Sequence, residues 1–531
     1  MLTRRTLLAS GAAVATAPLA AGKAAAATPP GIVVMAKQID DVISFDPAQS
    51  YEFSNTEADA NIYRKLVSPN LKKLSEIEPD LASAWEVSSD GKTFTFHLVQ
   101  DAVFPSGKPA TASDAEFSLQ RVVTLNLTPG FELTQFGFTK DNVASLIRAT
   151  DPHTLVIELP KPAATSFVFT CLSANVGGIV EKETALAHQQ NNDLGNHWLT
   201  SHSAGNGPYQ LTSWSANDHI ILDANPHAAT APLTRRVFIR HVKDPGTQLL
   251  MVQHGDADIA RDLTPDLLKT AAGDPNLYRL AAPSTNQMYV AGNADYAPFA
   301  KIAVREAIKW AIDYAGIQKN IVPDTYIVNQ SFEPTGILGA LVTNPFSKDP
   351  DKAKALLAKA GYANGFTATL DHFSDHPYTD IAAAIQADLG AVGIKVSLLP
   401  GTRSQVFTKM RARQHQLILS EWYPDYFDPN SNAQAFNANP DDSDNSKLKI
   451  IAWRCHFYDP TLTAEVTAAA EELDTAKRVA LYHKMQEQAW QVSPIAFMLQ
   501  QNATAVLRKN VTGFILGAQS DFTRYSEIRK T

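Results

Sequence analysis

One short stretch combines an apolar run with a loop rich in aromatic and acidic residues: Leu417-Ile418-Leu419-Ser420-Glu421-Trp422-Tyr423-Pro424-Asp425-Tyr426-Phe427-Asp428-Pro429. The apolar run predicts a buried strand that ends at Glu421. Asp428 followed by Pro429 predicts the start of a helix, because Asp caps helices and Pro suits the first helical position. Open α/β sheets bind ligands in loops of this kind, at the carboxyl ends of strands. We therefore expect Trp422 and Asp425 to face a cleft.

The amino terminus, residues 1–27, has the pattern of an export signal. The pair Arg4-Arg5 precedes an apolar run that ends near Ala21, and a tract of small residues follows it. This pattern predicts a twin-arginine signal peptide that is cleaved near Ala27. The apolar run is Ala-rich and shorter than the roughly 20 residues that a membrane span needs, so we favour cleavage over a membrane anchor. No cysteine follows the run, and we expect the mature protein to be free in the periplasm.

Composition indicates a large globular protein and excludes some functions. Hydrophobic residues make up 45% and charged residues 19% of the chain, which are globular values. Residues 1–27 contain three basic and no acidic residues, so their removal takes the formal net charge from −8 to −11. An acidic surface argues against nucleic acid as a partner. Cys171 and Cys455 are the two cysteines, and they predict either one optional bridge or two buried thiols.

The rest of the chain alternates between helix and strand signals, which indicates an α/β fold. Alternating residues on both sides of Asp90-Gly91 predict a β-hairpin over 85–98. A capping pattern at 111–114 predicts a helix start, and we expect another helix over 60–67. An apolar helical stripe over 381–392 is followed at once by a strand over 394–398.

Several segments, taken in order, resemble the family 5 extracellular solute-binding proteins, the peptide- and nickel-binding components of ABC importers. The resemblance covers nearly the whole mature chain. The segments that carry it are Pro79–Leu98, Phe104–Asp114, Gly205–Tyr209, Val304–Ile308 with Ala311–Asp313, Ala353–Leu357 with Ala360–Tyr362, and Asp388–Leu389 with Val392–Ile394.

The resemblance implies a two-lobe α/β protein that closes on its ligand like a hinged clamp, with a small additional α+β domain inserted in lobe I. By analogy, lobe I comprises 28–68, 200–285 and 495–531, the inserted domain 69–199, and lobe II 286–494. The chain then crosses between the lobes near 285 and 494, and hinge closure is the expected motion.

The resemblance also implies a function without catalysis or cofactor, and we expect no residues that hold a resident metal ion. The expected protein is a monomeric periplasmic receptor that captures a peptide or peptide-like solute between its lobes. It would deliver this solute to the permease subunits of an ABC importer in the inner membrane. A periplasmic hydrolase is the alternative class, but the sequence has no nucleophile or cofactor motif to support it.

The implied ligand-binding residues are led by Asp425. In peptide-binding members of the family, the Asp of a Trp-x-x-Asp-Tyr pattern takes the ligand's α-ammonium, and residues 422–426 match that pattern. The structural alternative is a loop Asp that caps its own backbone. The other candidates are Trp422 as a stacking wall, Tyr423 in the same loop, Tyr51 and Phe53 in lobe I, and Arg403.

One departure from the family leaves the ligand open. The dipeptide binders carry an arginine just before the helix that contains residues 385–388, where it holds the ligand carboxylate. Here the stretch His376–Asp380 has no arginine, and Arg403 is explained as readily by a solvated helix face. A longer peptide, an opine-like amino-acid conjugate and a metal chelate therefore remain alternatives to a dipeptide. His372 and His376 are four apart, but Pro377 favours a loop over a metal site.

Overall fold

The computed structural model of the chain describes residues 28–29, 31–74 and 76–531. The predicted export signal, residues 1–27, lies outside the described residues. Within the described part of the chain, no helix combines the length and the apolar character that a membrane crossing requires.

The structure contains both long and short strands. They are β1 (Ile32–Lys37), β2 (Val67–Pro69), β3 (Ile77–Pro79), β4 (Ala82–Val87), β5 (Thr93–Leu98), β6 (Ile147–Asp151), β7 (Thr154–Glu158), β8 (Tyr209–Ser215), β9 (His219–Ala224), β10 (Arg236–His241), β11 (Ile259–Ala260), β12 (Leu277–Gly292), β13 (Tyr326–Val328), β14 (Phe366–Phe373), β15 (Ile394–Gly401), β16 (Leu417–Trp422), β17 (Ile495–Arg508), β18 (Val511–Thr512) and β19 (Arg529–Lys530).

Helices alternate with these strands along the chain. They are α1 (Phe53–Ile62), α2 (Ala112–Leu125), α3 (Phe131–Thr134), α4 (Val143–Leu146), α5 (Thr165–Ser173), α6 (Lys182–Ala187), α7 (Asn196–Leu199), α8 (Pro245–His254), α9 (Pro265–Ala272), α10 (Ile302–Ala311), α11 (Tyr314–Asn320), α12 (Pro350–Lys359), α13 (Tyr378–Ala391), α14 (Arg403–Arg411), α15 (Pro429–Asn437), α16 (Ile451–Arg454), α17 (Pro460–Glu471) and α18 (Thr475–Val492).

One sheet of 11 strands forms the framework of the molecule. Its order is β15-β14-β16-β12-β17-β11-β1-β10-β9-β8, and β13 pairs with β17. Strand β14 is parallel to β15 and β16, and β1 is parallel to β10 and β11. Because parallel neighbours end at the same edge of a sheet, each group presents its carboxyl-end loops together. The α/β class expected from the sequence is confirmed.

Strands β12 and β17 join the two groups of parallel strands. They pair antiparallel from Leu277 with Arg508 to Ala291 with Ile495, and the register shifts between Pro283 and Gln287. Leu277 packs into a hydrophobic core beside β1 and β11. Residues 288–291, farther along the same strand, pack into the core beside β14, β15 and β16. The long pair therefore connects two separately packed parts, which correspond in position to the predicted lobes I and II; their exact boundaries stay predictions.

A smaller sheet, in the order β4-β5-β7-β6, lies within the region predicted as the inserted domain. The predicted hairpin is confirmed, since β4 and β5 pair antiparallel around the turn at Gly91, whose φ is +65°. The predicted helix start is confirmed at α2, where the Asp114 carboxylate accepts a hydrogen bond from the Thr111 N–H at 2.9 Å. Phe94, Phe96 and residues of α2 and α5 share one core.

The prediction of a helix over 60–67 is wrong. The helix at this place is α1, which ends at Ile62, and Val67 begins strand β2. Most of the buried residues of α1 are polar, so it shows no apolar stripe. Its buried Glu57 instead accepts hydrogen bonds from Lys37 at 2.6 Å, from Tyr525 at 2.6 Å and from Arg261. Burial alone would raise the pKa of Glu57, but the charges of Arg261 and Lys37 outweigh it and lower the pKa to about 2.

Candidate ligand-binding site

The loop between β16 and α15 has the form that the sequence predicts. The Asp428 side chain accepts a hydrogen bond from the Asn430 N–H at 2.9 Å, with Pro429 at the first helical position. The backbone N–H of Asp425 donates to Ser431 Oγ at 2.8 Å. The start of α15 therefore holds the loop in one conformation and fixes where Asp425 lies.

A buried ion pair fixes the end of the same loop. Arg478 on α18 donates two hydrogen bonds to the Asp428 carboxylate, at 2.9 and 2.6 Å. Arg478 also donates to Ser166 Oγ on α5 at 3.0 Å. Asp428 thus serves as a helix cap, as predicted, and also ties the loop to α18 and to the smaller domain.

Asp425 contacts Tyr51, which lies far away in the sequence, just before α1. The Tyr51 hydroxyl donates a hydrogen bond to Asp425 Oδ1. Burial raises the pKa of the Asp425 carboxyl to about 6, against the opposing effects of the Tyr51 hydrogen bond and the charge of Arg454. Burial, followed by the charge of Asp425, raises the pKa of Tyr51, so the phenol keeps its proton. The Asp425 carboxylate therefore lies in a poorly hydrated place, and Tyr51 is its one side-chain hydrogen-bond donor among the described residues.

The other aromatic candidates in lobe I and the loop also meet. Phe53, at the start of α1, packs on Tyr423 with ring centroids 4.4 Å apart. The Tyr51 ring lies edge-on to Phe131 of α3 at 6.2 Å. Since the Glu57 network anchors α1, it holds Phe53 at the start of the helix and the adjoining segment that carries Tyr51. The structure therefore brings Tyr51, Phe53, Tyr423 and Asp425 into one cluster.

Part of the Trp422 side chain packs inside the protein. Its indole N–H donates to Asn432 Oδ1 at 2.9 Å, and its ring lies edge-on to Phe436 with centroids 6.0 Å apart. It packs against the core of lobe II while part of its surface stays exposed. Trp422 can thus offer a ligand its remaining ring surface but not its N–H group.

A second polar cluster surrounds Glu421 at the end of β16. The Glu421 carboxylate accepts hydrogen bonds from Asn286 Nδ2 at 2.8 Å, from the Tyr378 hydroxyl and from Arg403. Tyr423 is linked to the same cluster through Gln501, whose Oε1 accepts a bond from the Tyr423 hydroxyl at 3.1 Å. Glu421, which marks the end of the strand in the sequence, is therefore an organising residue of the site.

Arg403 lies beside α13. This is the helix before which the dipeptide binders carry an arginine and this chain does not. Its guanidinium is 4.4 Å from the ring centroid of Phe373 and 5.3 Å from that of Tyr378, the first residue of α13. It also pairs with Asp375 at 3.3 Å in addition to Glu421. Two carboxylates thus neutralise its positive charge, and Arg403 as a ligand-binding residue stays a prediction.

A groove opens near this second cluster. It has a volume of about 510 Å³, and its lining residues are Thr264, Pro265, Asp266, Asn320, Ile321, Pro323, His376 and Asp380. His376 pairs with Asp380 at 2.9 Å. Because Thr264 follows β11 and His376 follows β14, the groove lies between the carboxyl-end loops of both strand groups.

The two histidines considered for metal binding do not form a metal site. His372 is buried, with Nδ1 2.8 Å from the Phe373 carbonyl oxygen, and His376 is paired as above. In the described part of the chain, no group of three or more His, Cys, Asp or Glu side chains is placed to hold a metal ion.

Several site residues carried no signal in the sequence. Glu421, Asn286 and Gln501 come from three distant segments, and Glu132 lies in a short helix without a recognisable motif. Glu421, Asn286 and Gln501 meet in the second cluster, whereas Glu132 is affected by the charge of Asp425. Both groupings exist only in three dimensions.

Two strand groups joined by a long antiparallel pair, with buried ionisable groups between them, define a two-lobe α/β binding protein. The family model for bacterial extracellular solute-binding proteins, family 5 (middle), matches residues 76–444. The chain belongs to this family, whose members are the solute-binding components of ABC importers.

Individual relatives agree with this assignment over most of the chain. The chain is 27% identical to the probable D,D-dipeptide-binding periplasmic protein DdpA of Escherichia coli K12, covering 92% of each protein. It is 25% identical to the glutathione-binding protein GsiB of Salmonella typhi, over 90% of this chain and 92% of GsiB. The periplasmic binding protein DppA of Helicobacter pylori, solved with the peptide STSA, shares the fold, with a TM-score of 0.77 at 24% identity over 94% of this chain and 98% of DppA.

Proposed function

We propose that this protein is a periplasmic receptor that binds the ammonium group of a peptide or peptide-like solute at Asp425. The observation that carries the proposal is the position of Asp425. It is a carboxylate in a poorly hydrated place, at the meeting point of both lobes, and Tyr51 is its side-chain hydrogen-bond donor.

An ammonium group suits this place for a physical reason. A carboxylate removed from water without a cation is destabilised, and this is what the raised pKa of Asp425 expresses. A ligand ammonium would restore the lost interaction with charge-assisted hydrogen bonds, which are stronger in a dry cleft than on the surface. Tyr423, Phe53 and the exposed part of Trp422 would then provide apolar walls for the ligand.

The names of the relatives support a peptide as the ligand. DdpA is described as dipeptide-binding, GsiB as glutathione-binding, and DppA was solved with a tetrapeptide. These ligands share a free ammonium group next to an amide-containing chain. The proposed ligand-binding residues are Asp425, Tyr51, Phe53, Trp422 and Tyr423, with Arg403 near the other end.

The remaining parts of the proposal follow from this role. Residues 1–27 would be a twin-arginine signal peptide that is cleaved near Ala27 after export. The mature monomer would deliver its solute to the permease subunits of an ABC importer, without catalysis, cofactor or nucleic acid.

The pairing of Arg403 favours one alternative within the same class. Because Glu421 and Asp375 already neutralise Arg403, a ligand carboxylate gains little by approaching it. A longer peptide, whose carboxylate would lie beyond Arg403, then competes with a dipeptide, as do an opine-like amino-acid conjugate and a metal chelate. The groove of about 510 Å³ beside His376 and Asp380 offers room for such an extension.

A panel of peptides tests the proposal. Purified protein is heated with Ala-Ala, Ala-Ala-Ala, Ser-Thr-Ser-Ala, glutathione and their N-acetylated forms, and bound peptide is recovered for mass spectrometry. A peptide at 100 times its Kd stabilises the folded state by about 2.7 kcal/mol, so at least one free-amine peptide should raise the Tm and be recovered intact. Binding of the acetylated forms with equal strength would contradict the role of the ammonium, and cleaved peptide would indicate a hydrolase.

A further inference from the structure

Glu132 is a buried carboxylate near the proposed ammonium site that has no assigned role. It lies on α3, is only 4% exposed, and its Oε2 atom has no hydrogen-bond partner among the described residues. Buried polar groups in proteins are nearly always paired, because an unpaired one loses its hydration without compensation. An unpartnered buried carboxylate therefore needs an explanation.

The sequence neighbours of Glu132 contact the two segments that position Asp425. Phe131, the residue before it, packs against the ring of Tyr51 at 6.2 Å, and Tyr51 in turn bonds to Asp425. Gln135, one turn later, accepts a hydrogen bond from the Tyr426 hydroxyl at 3.2 Å. The backbone on both sides of Glu132 is thus held against the two segments that position Asp425.

Among the described residues, no cation pairs closely with Glu132. Burial, then the charges of Asp425 and Asp521, raise the pKa of Glu132, and the charge of Lys65 opposes them. The Lys65 ammonium donates to the Ser173 carbonyl at 2.7 Å. Two carboxylates, Asp425 and Glu132, therefore share a poorly hydrated region that would become more stable if a cation entered it.

We propose that Glu132 is a second ligand-binding carboxylate, and that the ligand's ammonium lies between Asp425 and Glu132. This inference rests on the proposed function of Asp425 and extends it to the inserted domain. Two carboxylates each need an N–H donor, so the ligand class is a primary or secondary ammonium with at least two N–H groups. A tertiary ammonium carries the same charge but has only one donor.

The inference gives the inserted domain a part in recognition. Asp425 belongs to lobe II and Tyr51 to lobe I, whereas Glu132 comes from the smaller domain. A ligand ammonium between Asp425 and Glu132, with Tyr51 bonded to Asp425, would link three parts of the molecule, so ligand binding and closure would be coupled.

The test compares one substitution and one change in the ligand. Calorimetry measures the Kd of the peptide from the set Ala-Ala, Ala-Ala-Ala and Ser-Thr-Ser-Ala that binds the wild type most tightly, and the Kd of its N,N-dimethyl form. The proteins are the wild type, Glu132→Gln, and the control Glu183→Gln, whose side chain is 74% exposed in the same domain. Glu132→Gln should bind the peptide at least tenfold more weakly, and Glu183→Gln should match the wild type.

The dimethylated peptide separates recognition from a general structural effect. In the wild type, dimethylation should weaken binding strongly, and in Glu132→Gln its additional effect should be much smaller, because one of the two acceptors is already lost. The Tm without peptide should be unchanged or higher for Glu132→Gln, since Gln has nearly the shape of the buried carboxyl and cannot ionise. This result would show that the variant is folded.

Distinct outcomes overturn the inference and the proposed function. Equal Kd values, within twofold, for the wild type and Glu132→Gln would exclude Glu132 as a ligand-binding residue while leaving Asp425 in place. An equal dimethylation effect in both proteins would exclude the shared ammonium. If the wild type bound none of the free-amine peptides, glutathione included, the proposed ammonium site at Asp425 would fail, and this inference with it.

Discussion

The Tyr51 hydroxyl donates a hydrogen bond to the Asp425 carboxylate across a separation of 374 positions in the chain. Tyr51 lies just before α1 in lobe I, and Asp425 lies in the loop after β16 in lobe II. The contact therefore joins the two predicted lobes at one point. It also gives the buried carboxylate a hydrogen-bond donor that a ligand ammonium would supplement with a positive charge.

The substitution Asp425→Asn should weaken the binding of a free-amine peptide by about 1.5–3 kcal/mol, because a charge-assisted bond is replaced by a neutral contact. Isothermal calorimetry with the best-binding peptide of the panel measures this change. The matched control is Asp101→Asn, at an exposed position of the inserted domain, which should leave the Kd unchanged. An equal Kd for wild type and Asp425→Asn would remove Asp425 from the site.

Peptide binding should weaken as the pH falls through about 6. Burial raises the pKa of Asp425 to about 6 from its ordinary 3.8, and an ammonium binds the ionised carboxylate. Between pH 7 and pH 5 the ionised fraction of such a group falls about tenfold, and the affinity should fall with it. Calorimetry at several pH values measures this, and the slope should be clearly smaller in Asp425→Asn. A wild-type affinity that stays constant from pH 7 to 5 would contradict the assignment.

The ionisation of Asp425 should affect the stability of the ligand-free protein in the opposite direction: the free energy of unfolding should fall as the pH rises from 3.8 to 6. The folded state holds the Asp425 proton more tightly than the unfolded state does, so the protonated carboxyl favours folding below pH 3.8. This contribution is lost as the pH rises from 3.8 to 6. Compared with the wild type, Asp425→Asn should therefore gain stability as the pH rises through this window.

Local signals in the sequence were sufficient for much of the fold. The strand at Leu417, the cap at Asp428 and the hairpin around Gly91 each depend on residues within about ten positions, and each is confirmed. Helix α1 was placed incorrectly because its buried side chains are polar. Their partners, among them Arg261 and Tyr525, lie some 200 and 470 positions away in the chain. No local sequence pattern predicts such contacts.

The site was less accessible from the sequence for the same physical reason. The resemblance singles out Asp425 through a short pattern, but the acids Glu132 and Glu421 lie in segments that look like ordinary helix and strand ends. Arg403 looked like a residue on a solvated helix face. Only folding shows that its guanidinium lies over Tyr378 and is shared between Glu421 and Asp375.

Removal of the charge of Asp428 should destabilise the protein strongly. The side chains of Arg478 and Asp428 are only 1% and 2% exposed, and loss of one partner of a buried pair typically costs about 3–5 kcal/mol. Asn caps helices about as well as Asp, so Asp428→Asn isolates the charge effect. The control is Glu76→Gln, whose exposed pair with Lys73 should be worth less than about 1 kcal/mol. Urea denaturation compares the two variants, and equal midpoints would contradict the prediction.

Both cysteines should be unreactive thiols in the folded protein. Cys171 and Cys455 are free and fully buried, and burial raises the pKa of Cys455 to about 12. Because the thiolate is the reactive form, Ellman's reagent should detect almost no thiol in the native state and both thiols in guanidinium chloride. A Tm that falls on addition of a reducing agent would instead indicate a bridge in solution.

Peptide binding should make the protein more compact by rotation about the middle of the β12–β17 pair. Leu277 at one end of β12 packs in a lobe I core and Met288 farther along packs in the lobe II core. The register shift between Pro283 and Gln287 lies between them. An irregular segment between two rigid cores is where a hinge absorbs backbone rotation. Small-angle X-ray scattering should therefore show a radius of gyration that falls when the best-binding peptide is added.

The variant Asp425→Asn provides the control for this motion. At a peptide concentration that saturates the wild type but not the variant, the radius of gyration of the variant should stay at its ligand-free value. The scattering curve of the liganded wild type should match the closed arrangement in which Tyr51 reaches Asp425. If the ligand-free protein already gave that curve, the cleft would be closed before the ligand arrives. Closure driven by the ammonium at Asp425 would then be excluded.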